Sequence, residues 1–362
     1  MLYRTRQFFY DGRRGDEMHN AYAYQYAKNY RELFEQKYGD DHVLYTRGAA
    51  PGSQHFACQF GGDQLTSFQG LKYAIAGGLS AAASGLPFWG VDAGGYDGFP
   101  DQETYLRWTE YAAFCPLMRF HGTEPREPWE YDAFTVKVYR YYAWLRENLR
   151  PYIVSVAAEA HKLGIPMMRP LAMIYPEDQE ATKVWDEYLF GENLLVAPVS
   201  DETEEREIYF PKGRWISLWN LNDEISGPVQ RSVEVPIDKI PVYVREGSFL
   251  PLRLNESLKL GESMSESETE MILAVVPQND SIVKETLYER SGAKTCCGME
   301  KKWRNYTAPN FRKNSRALCN AGGNSLEKYR SYRKRKNINK SRLREKVCIL
   351  RKVIWSWKRV SW

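Results

Sequence analysis

Four polar side chains stand where short apolar runs give way to loops: Arg47 in the string TRG, Asp63 in QFGGDQ, Asp92 in GVDAGG and His121 in RFHGT. Carboxylates and imidazoles exchange protons with bound molecules, and guanidinium and carboxylate groups grip polar substrates through charge-assisted hydrogen bonds. Taken singly, each residue has a structural alternative. Asp63 can cap a helix beginning near Leu65. His121 can be a satisfied core histidine, Arg47 an ion-pair partner, and Asp92 a member of an Asp-Ala-Gly-Gly turn. What singles them out is their repetition at the same kind of place.

The elements that must position them alternate. Residues 19 to 38 carry Tyr22, Tyr26, Tyr30, Leu33 and Phe34 at helical spacing, and Gly39 follows as a C-cap. HVLYTRG reads as a short buried strand, QFGGD as a strand end, and Leu71 to Ser84 as an Ala-rich helix. PFWGVDAGGY is a further strand, a helix at about 101 to 114 comes next, and PLMRFHG repeats the strand-to-loop signature. This alternation predicts parallel βα units of an α/β fold, with the polar residues at the C-terminal ends of the strands. About four units precede residue 160, whereas a complete eight-unit barrel takes on the order of 250 residues. The expectation is a partial (β/α)8 barrel over 1–163. One or two aromatic-rich helices, broken at Pro151, close it.

Beyond it, NLLVAPV, EREIYFP, RWISLW, VEVPI and PVYVREGSFLPL predict an antiparallel β-sandwich over 164–252. MILAVVP and ETLYE suggest the start of a second small β-domain over 253–290, and past about 291 the patterning fails.

The stretch from Thr46 to Tyr96 resembles glycoside hydrolase family 31. The residues that carry the likeness are Arg47, Gly52 to Gln54, Phe60 to Asp63, Ser84 with Gly85, and Asp92 to Gly95, followed by His121. EYLFGENLLVAPV, PKGRWISLW and REGSFLPL are similar to the β-sandwich that follows the family's barrel. The resemblance implies a retaining α-glycosidase, α-glucosidase-like, with α-xylosidase or α-glucosyl transferase as alternatives. Its partner would be an α-linked oligosaccharide, and it needs no cofactor or metal. Carried over by position, Asp63 would be the general acid/base, and Arg47, Asp92 and His121 would line the sugar subsite. Phe60, where many family members carry Trp, and Trp89 would be candidate walls, while packing is preferred for Phe88. The family's nucleophile precedes a Met-His-Asn-x-Tyr-like segment, here Met18 to Tyr22, by roughly twenty residues. It is therefore expected before Met1, since Asp11 and Asp16 lie too close to the helix.

Net charge divides the chain. Residues 291–362 carry 21 Lys or Arg against 3 Asp or Glu, which leaves 29 against 43 in the preceding 290. A basic tail of this kind suits nucleic-acid contact, but a disordered or non-native extension is preferred. No run of eighteen apolar residues occurs and the N-terminus lacks a signal-peptide core, so no membrane partner and a cytoplasmic location are expected. The six cysteines form no disulfide framework, and Cys296-Cys297 lacks zinc-site spacing. Oligomeric state is left open.

Overall fold

The computed structural model describes residues 7–264 apart from 221, 256 and 258, together with the backbone of four further strands between 271 and 321. It opens with α1 (Gly15–Tyr38), which ends at Gly39 with φ of 59°. The helix starts four residues earlier than expected because the Glu17 carboxylate accepts the Arg14 backbone N–H at 2.8 Å and closes its first turn.

Next come β1 (Tyr45–Thr46), β2 (Cys58–Phe60), α2 (Phe68–Ala83), β3 (Trp89–Asp92), α3 (Gln102–Ala113) and β4 (Leu117–Arg119). The four strands form one parallel sheet in the order β1-β2-β3-β4, the arrangement that successive βα units of a barrel produce. Its register sets Thr46 opposite Gln59, Phe60 opposite Gly90 and Asp92 opposite Arg119. Side-chain caps start the helices: Ser67 Oγ accepts from the Gly70 N–H at 3.1 Å and Asp101 from that of Thr104 at 2.7 Å. Such caps contribute about 1 kcal/mol each.

The expected break at Pro151 does not occur, and α4 (Ala133–Leu163) runs through it as one helix of 31 residues. Proline removes one helical N–H and costs about 3 kcal/mol in a helix interior, so packing has to hold the segment together. Tertiary hydrogen bonds do so on both sides. Asn148 Nδ2 donates to the Arg253 carbonyl at 2.9 Å and its Oδ1 accepts from the Gly261 N–H at 2.7 Å. The Tyr152 hydroxyl donates to the Phe190 carbonyl at 2.6 Å.

After β5 (Met168–Pro170) and the short α5 (Leu171–Ile174) come β6 (Tyr188–Phe190), β7 (Leu194–Val196), β8 (Glu205–Ser217), β9 (Glu224–Glu234) and β10 (Val242–Arg245). They form an antiparallel six-stranded sheet in the order β5-β6-β7-β10-β8-β9. EREIYFP and RWISLW, expected as two strands, are one. β8 continues past Pro211 through a register shift between Phe210 and Gly213, a bulge that accommodates the missing donor. β9 is expected only at its end, where VEVPI overlaps it: Gly227, Pro228 and its exposed polar residues obscure the alternation of Ile225, Val229 and Val233, which pack partly buried against the cluster of Leu195, Phe210 and Trp215. β11 (Phe249–Arg253) pairs with β12 (Met271–Val275), and β13 (Ile282–Tyr288), β14 (Lys294–Glu300) and β15 (Arg316–Ala321) form a three-stranded sheet. The last two strands fall within the segment expected to lack pattern. The remainder of that basic tail, with the nucleic-acid reading attached to it, lies outside the described residues.

One hydrophobic core crosses from the half-barrel helices to the sheet, where Trp108, Tyr111, Tyr142 and Leu149 meet Tyr188, Leu194, Val242 and Leu252. A buried polar seam accompanies it. Arg107, 2% exposed, donates to the carbonyls of Val235 and Pro236 at 2.7 and 3.1 Å and pairs with Glu110 at 3.2 Å. The Tyr142 hydroxyl accepts from the Ile240 N–H at 3.1 Å. Among the described residues no helix is long and apolar enough to cross a membrane, and Cys58 and Cys115 are free thiols.

Candidate active site

The parallel register delivers the strand-end residues to one end of the sheet. Arg47 directly follows β1, Asp63 stands three residues beyond β2, Asp92 ends β3, and His121 follows β4 by two residues. Alternation along the strands decides which side chains share the inner face. Tyr45, Phe60, Asp92 and Arg119 meet there, since Arg119 packs over the rings of Tyr45 and Phe60 and binds Asp92.

Asp63 does not cap α2, a role taken by Ser67. Its carboxylate is instead held by Arg47, with Nη1 2.7 Å from Oδ2 and both side chains exposed. Gly62, at φ of +83°, makes this reach feasible: a Cβ there would come within 2.9 Å of Arg47 Cδ. An exposed pair of this kind contributes about 0–1 kcal/mol, so a substrate can exchange with it at little cost.

Asp92 is fully buried. Its Oδ1 accepts from Arg119 Nε at 2.6 Å, while Oδ2 has no hydrogen-bond partner among the described residues. Burial pushes this carboxyl above its ordinary value, opposed by Arg119 and His121 and reinforced by the charge of Asp63. These contributions place Arg119, His121 and Asp63 within electrostatic reach of Asp92. His121 is exposed, its ring 5.4 Å from that of Tyr96. Arg126 pins the loop that carries Tyr96, donating to the carbonyls of Gly95 and Tyr96 at 3.1 and 3.2 Å.

Trp89 stands apart from this group. Three residues before Asp92, it points to the opposite face of β3, where its ring packs against Gly77 and Gly78 of α2. Phe88 also packs against the core. Tyr45, Arg119, Tyr96 and Arg126 were not singled out from sequence, although Arg119 shares the string RFHG with His121 and its parity. Among the described residues no group of three or more His, Cys, Asp or Glu could hold a metal ion. A groove of about 930 Å³, lined by Tyr175, Asp178, Tyr209, Lys212 and Val229, lies in the β-sheet unit and includes none of the strand-end residues.

Comparison with known proteins agrees with this architecture. Residues 4–156 match the model of the glycosyl hydrolases family 31 TIM-barrel domain, and residues 164–250 that of the family's C-terminal domain. The chain is 37% identical over 284 residues to an isomaltosyltransferase of Sporosarcina globispora, covering 74% of this chain and 26% of the relative. It is 34% identical over 264 residues to an alpha-xylosidase of Saccharolobus solfataricus, covering 70% of this chain and 35% of the relative. The cycloalternan-forming enzyme of Listeria monocytogenes, solved with a pentasaccharide substrate, superposes with a TM-score of 0.77 at 30% identity, over 82% of this chain and 30% of that one. The chain thus spans between about a quarter and about a third of these proteins' lengths. With its barrel segment and the following sheet both matched, the chain belongs to glycoside hydrolase family 31.

Proposed function

We propose that the chain supplies the acid/base half of a retaining α-glycosidase site that works on α-glucosyl oligosaccharides. Asp63 is the general acid/base: it protonates the leaving glycosidic oxygen and then takes a proton from the incoming water. Arg47, Asp92 and His121 grip the hydroxyls of the reactive sugar, with Phe60 beside them. The observation that carries this reading is the convergence of these groups at one end of four adjacent parallel strands, around a buried carboxylate with one oxygen free to accept. The isomaltosyltransferase relative favours glucose, and the alpha-xylosidase relative makes xylose the alternative.

A retaining reaction needs a nucleophilic carboxylate about 5–5.5 Å from the acid/base. Asp11 pairs with Arg13 ahead of α1 and Asp16 with Arg14 in its first turn, and neither follows a strand of the parallel sheet. We therefore assign the nucleophile to a residue outside 7–264. Titration calorimetry of the full chain with isomaltotriose and xylose tests the reading. Isomaltotriose is expected to bind at least about tenfold more tightly than xylose. Failure of the folded chain to bind any α-glucoside would overturn the proposal, and a preference for xylose would move it to the α-xylosidase alternative.

A further inference from the structure

Each strand of the parallel sheet contributes one side chain or one gap to a single cluster on its inner face. β4 supplies Arg119, whose guanidinium carbon lies 4.8 Å from the ring centre of Tyr45 on β1 and 4.6 Å from that of Phe60 on β2. The two rings are 5.1 Å apart and inclined by 31°, so they form one platform. Gly90 of β3 leaves the space above the sheet that the Tyr45 hydroxyl fills, and any Cβ at that position would collide with it. Arg119 Nε and Nη2 both reach Asp92 Oδ1, at 2.6 and 2.5 Å, and Oδ2 is left without a partner.

We infer that Arg119 is a positioning residue for the sugar subsite: resting on Tyr45 and Phe60, it fixes Asp92 through Oδ1 and so aims Oδ2 at a hydroxyl of the bound sugar. The inference rests on the proposed role of Asp92. A planar guanidinium can stack on rings through its face and donate through its edge at once, which an ammonium cannot do. Lysine at this position is therefore a poor substitute although it keeps the charge. Burial raises this carboxyl and favours its neutral form, which would present a hydroxyl in place of a free acceptor, and the guanidinium opposes that rise. The other titratable or charged groups acting on Asp92 are Asp63 beyond β2, His121 beyond β4, Tyr45 on β1, and Arg126.

The test uses the full chain with isomaltotriose, comparing wild type, Asp92→Asn, Arg119→Lys, Arg119→Met and Phe60→Leu, each checked for folding by circular dichroism. Carbon-13 NMR of the Asp92 carboxyl supplies a second readout that needs no ligand. Arg119→Met is expected to weaken binding by about 10- to 100-fold and to raise the Asp92 titration midpoint, since it removes the group that opposes burial. Sugar binding should then require higher pH than in wild type. Arg119→Lys should restore the midpoint in part but not the affinity, and Phe60→Leu should loosen both. If wild type binds and Asp92→Asn does not, yet the Arg119 variants keep wild-type affinity and midpoint, the positioning role is wrong while the functional reading stands. If Asp92→Asn binds as wild type does, both fail. Should Arg119→Met not fold, the Lys and Leu variants decide between the same outcomes.

Discussion

The Asp63 and Asp92 carboxylates stand beyond one strand and at the end of its neighbour in one sheet but live in different surroundings. Asp63 is exposed and held by a single Arg47 contact, whereas Asp92 is sealed from solvent and fixed by Arg119. An exposed carboxylate can exchange protons with solvent and substrate, and a sealed one is suited to hold a hydroxyl in a fixed direction. Asp63→Asn should therefore leave isomaltotriose affinity within about threefold of wild type, since an exposed pair contributes little, while Asp92→Asn should abolish measurable binding. Calorimetry on the two variants separates the roles, and equal losses in both would contradict the division. Arg47, Asp63, Asp92 and His121 could be read from sequence because each follows an apolar run. Arg119 and Tyr45 could not, because their importance comes from strand pairing, which brings together residues 74 positions apart. The position of Trp89 was legible after all: an odd separation from Asp92 sends it to the other face, but its residue type drew attention away from its parity.

At the scale of elements, local propensity and tertiary packing conflict most openly in α4. Sequence reading expects a break at Pro151 because the missing N–H is a local property, whereas the anchors at Asn148 and Tyr152 depend on partners 38 to 113 residues away. Pro151→Ala should restore the absent helical hydrogen bond and stabilise the chain by about 1–3 kcal/mol, measured by urea unfolding. A loss of stability would show that the helix has been shaped around the proline. The same contrast explains β9, whose pairing with β8 is extensive although Gly227, Pro228 and exposed polar residues obscure its half-buried face of Ile225, Val229 and Val233. The half-barrel strands were legible because each is short and runs into a polar loop, with the periodic helices α2 and α3 separating β2, β3 and β4.

Across the whole molecule, two surfaces differ in how well they are partnered. On α1 only Gly15, Met18 and Ala27 are buried, and Tyr22, Tyr26, Tyr30 and Leu33 are exposed along a helical stripe. An exposed apolar stripe promotes association, as does the end position of β1 in the described parallel sheet. The full chain is expected to self-associate, and Tyr26→Lys with Tyr30→Lys should reduce the association seen by light scattering. By contrast, the seam between α3 and the loop after β9 is sealed. There burial pushes the Glu110 carboxyl up to about 8, despite Arg107 and Tyr142. A carboxyl whose folded value lies above its unfolded one stabilises the fold at low pH and loses that contribution as pH rises from about 4.5 through about 8. Glu110→Gln should flatten the fall in melting temperature across this window, and an unchanged slope would place its origin elsewhere. The seam also bears on how such enzymes can be recombined. Arg107 is encoded in the barrel, but the carbonyls of Val235 and Pro236 that receive it belong to the sheet unit. A chimera joined between residues 163 and 164 would bring a foreign backbone up to a buried cation, so graft boundaries should move α3 and the Val235 loop together.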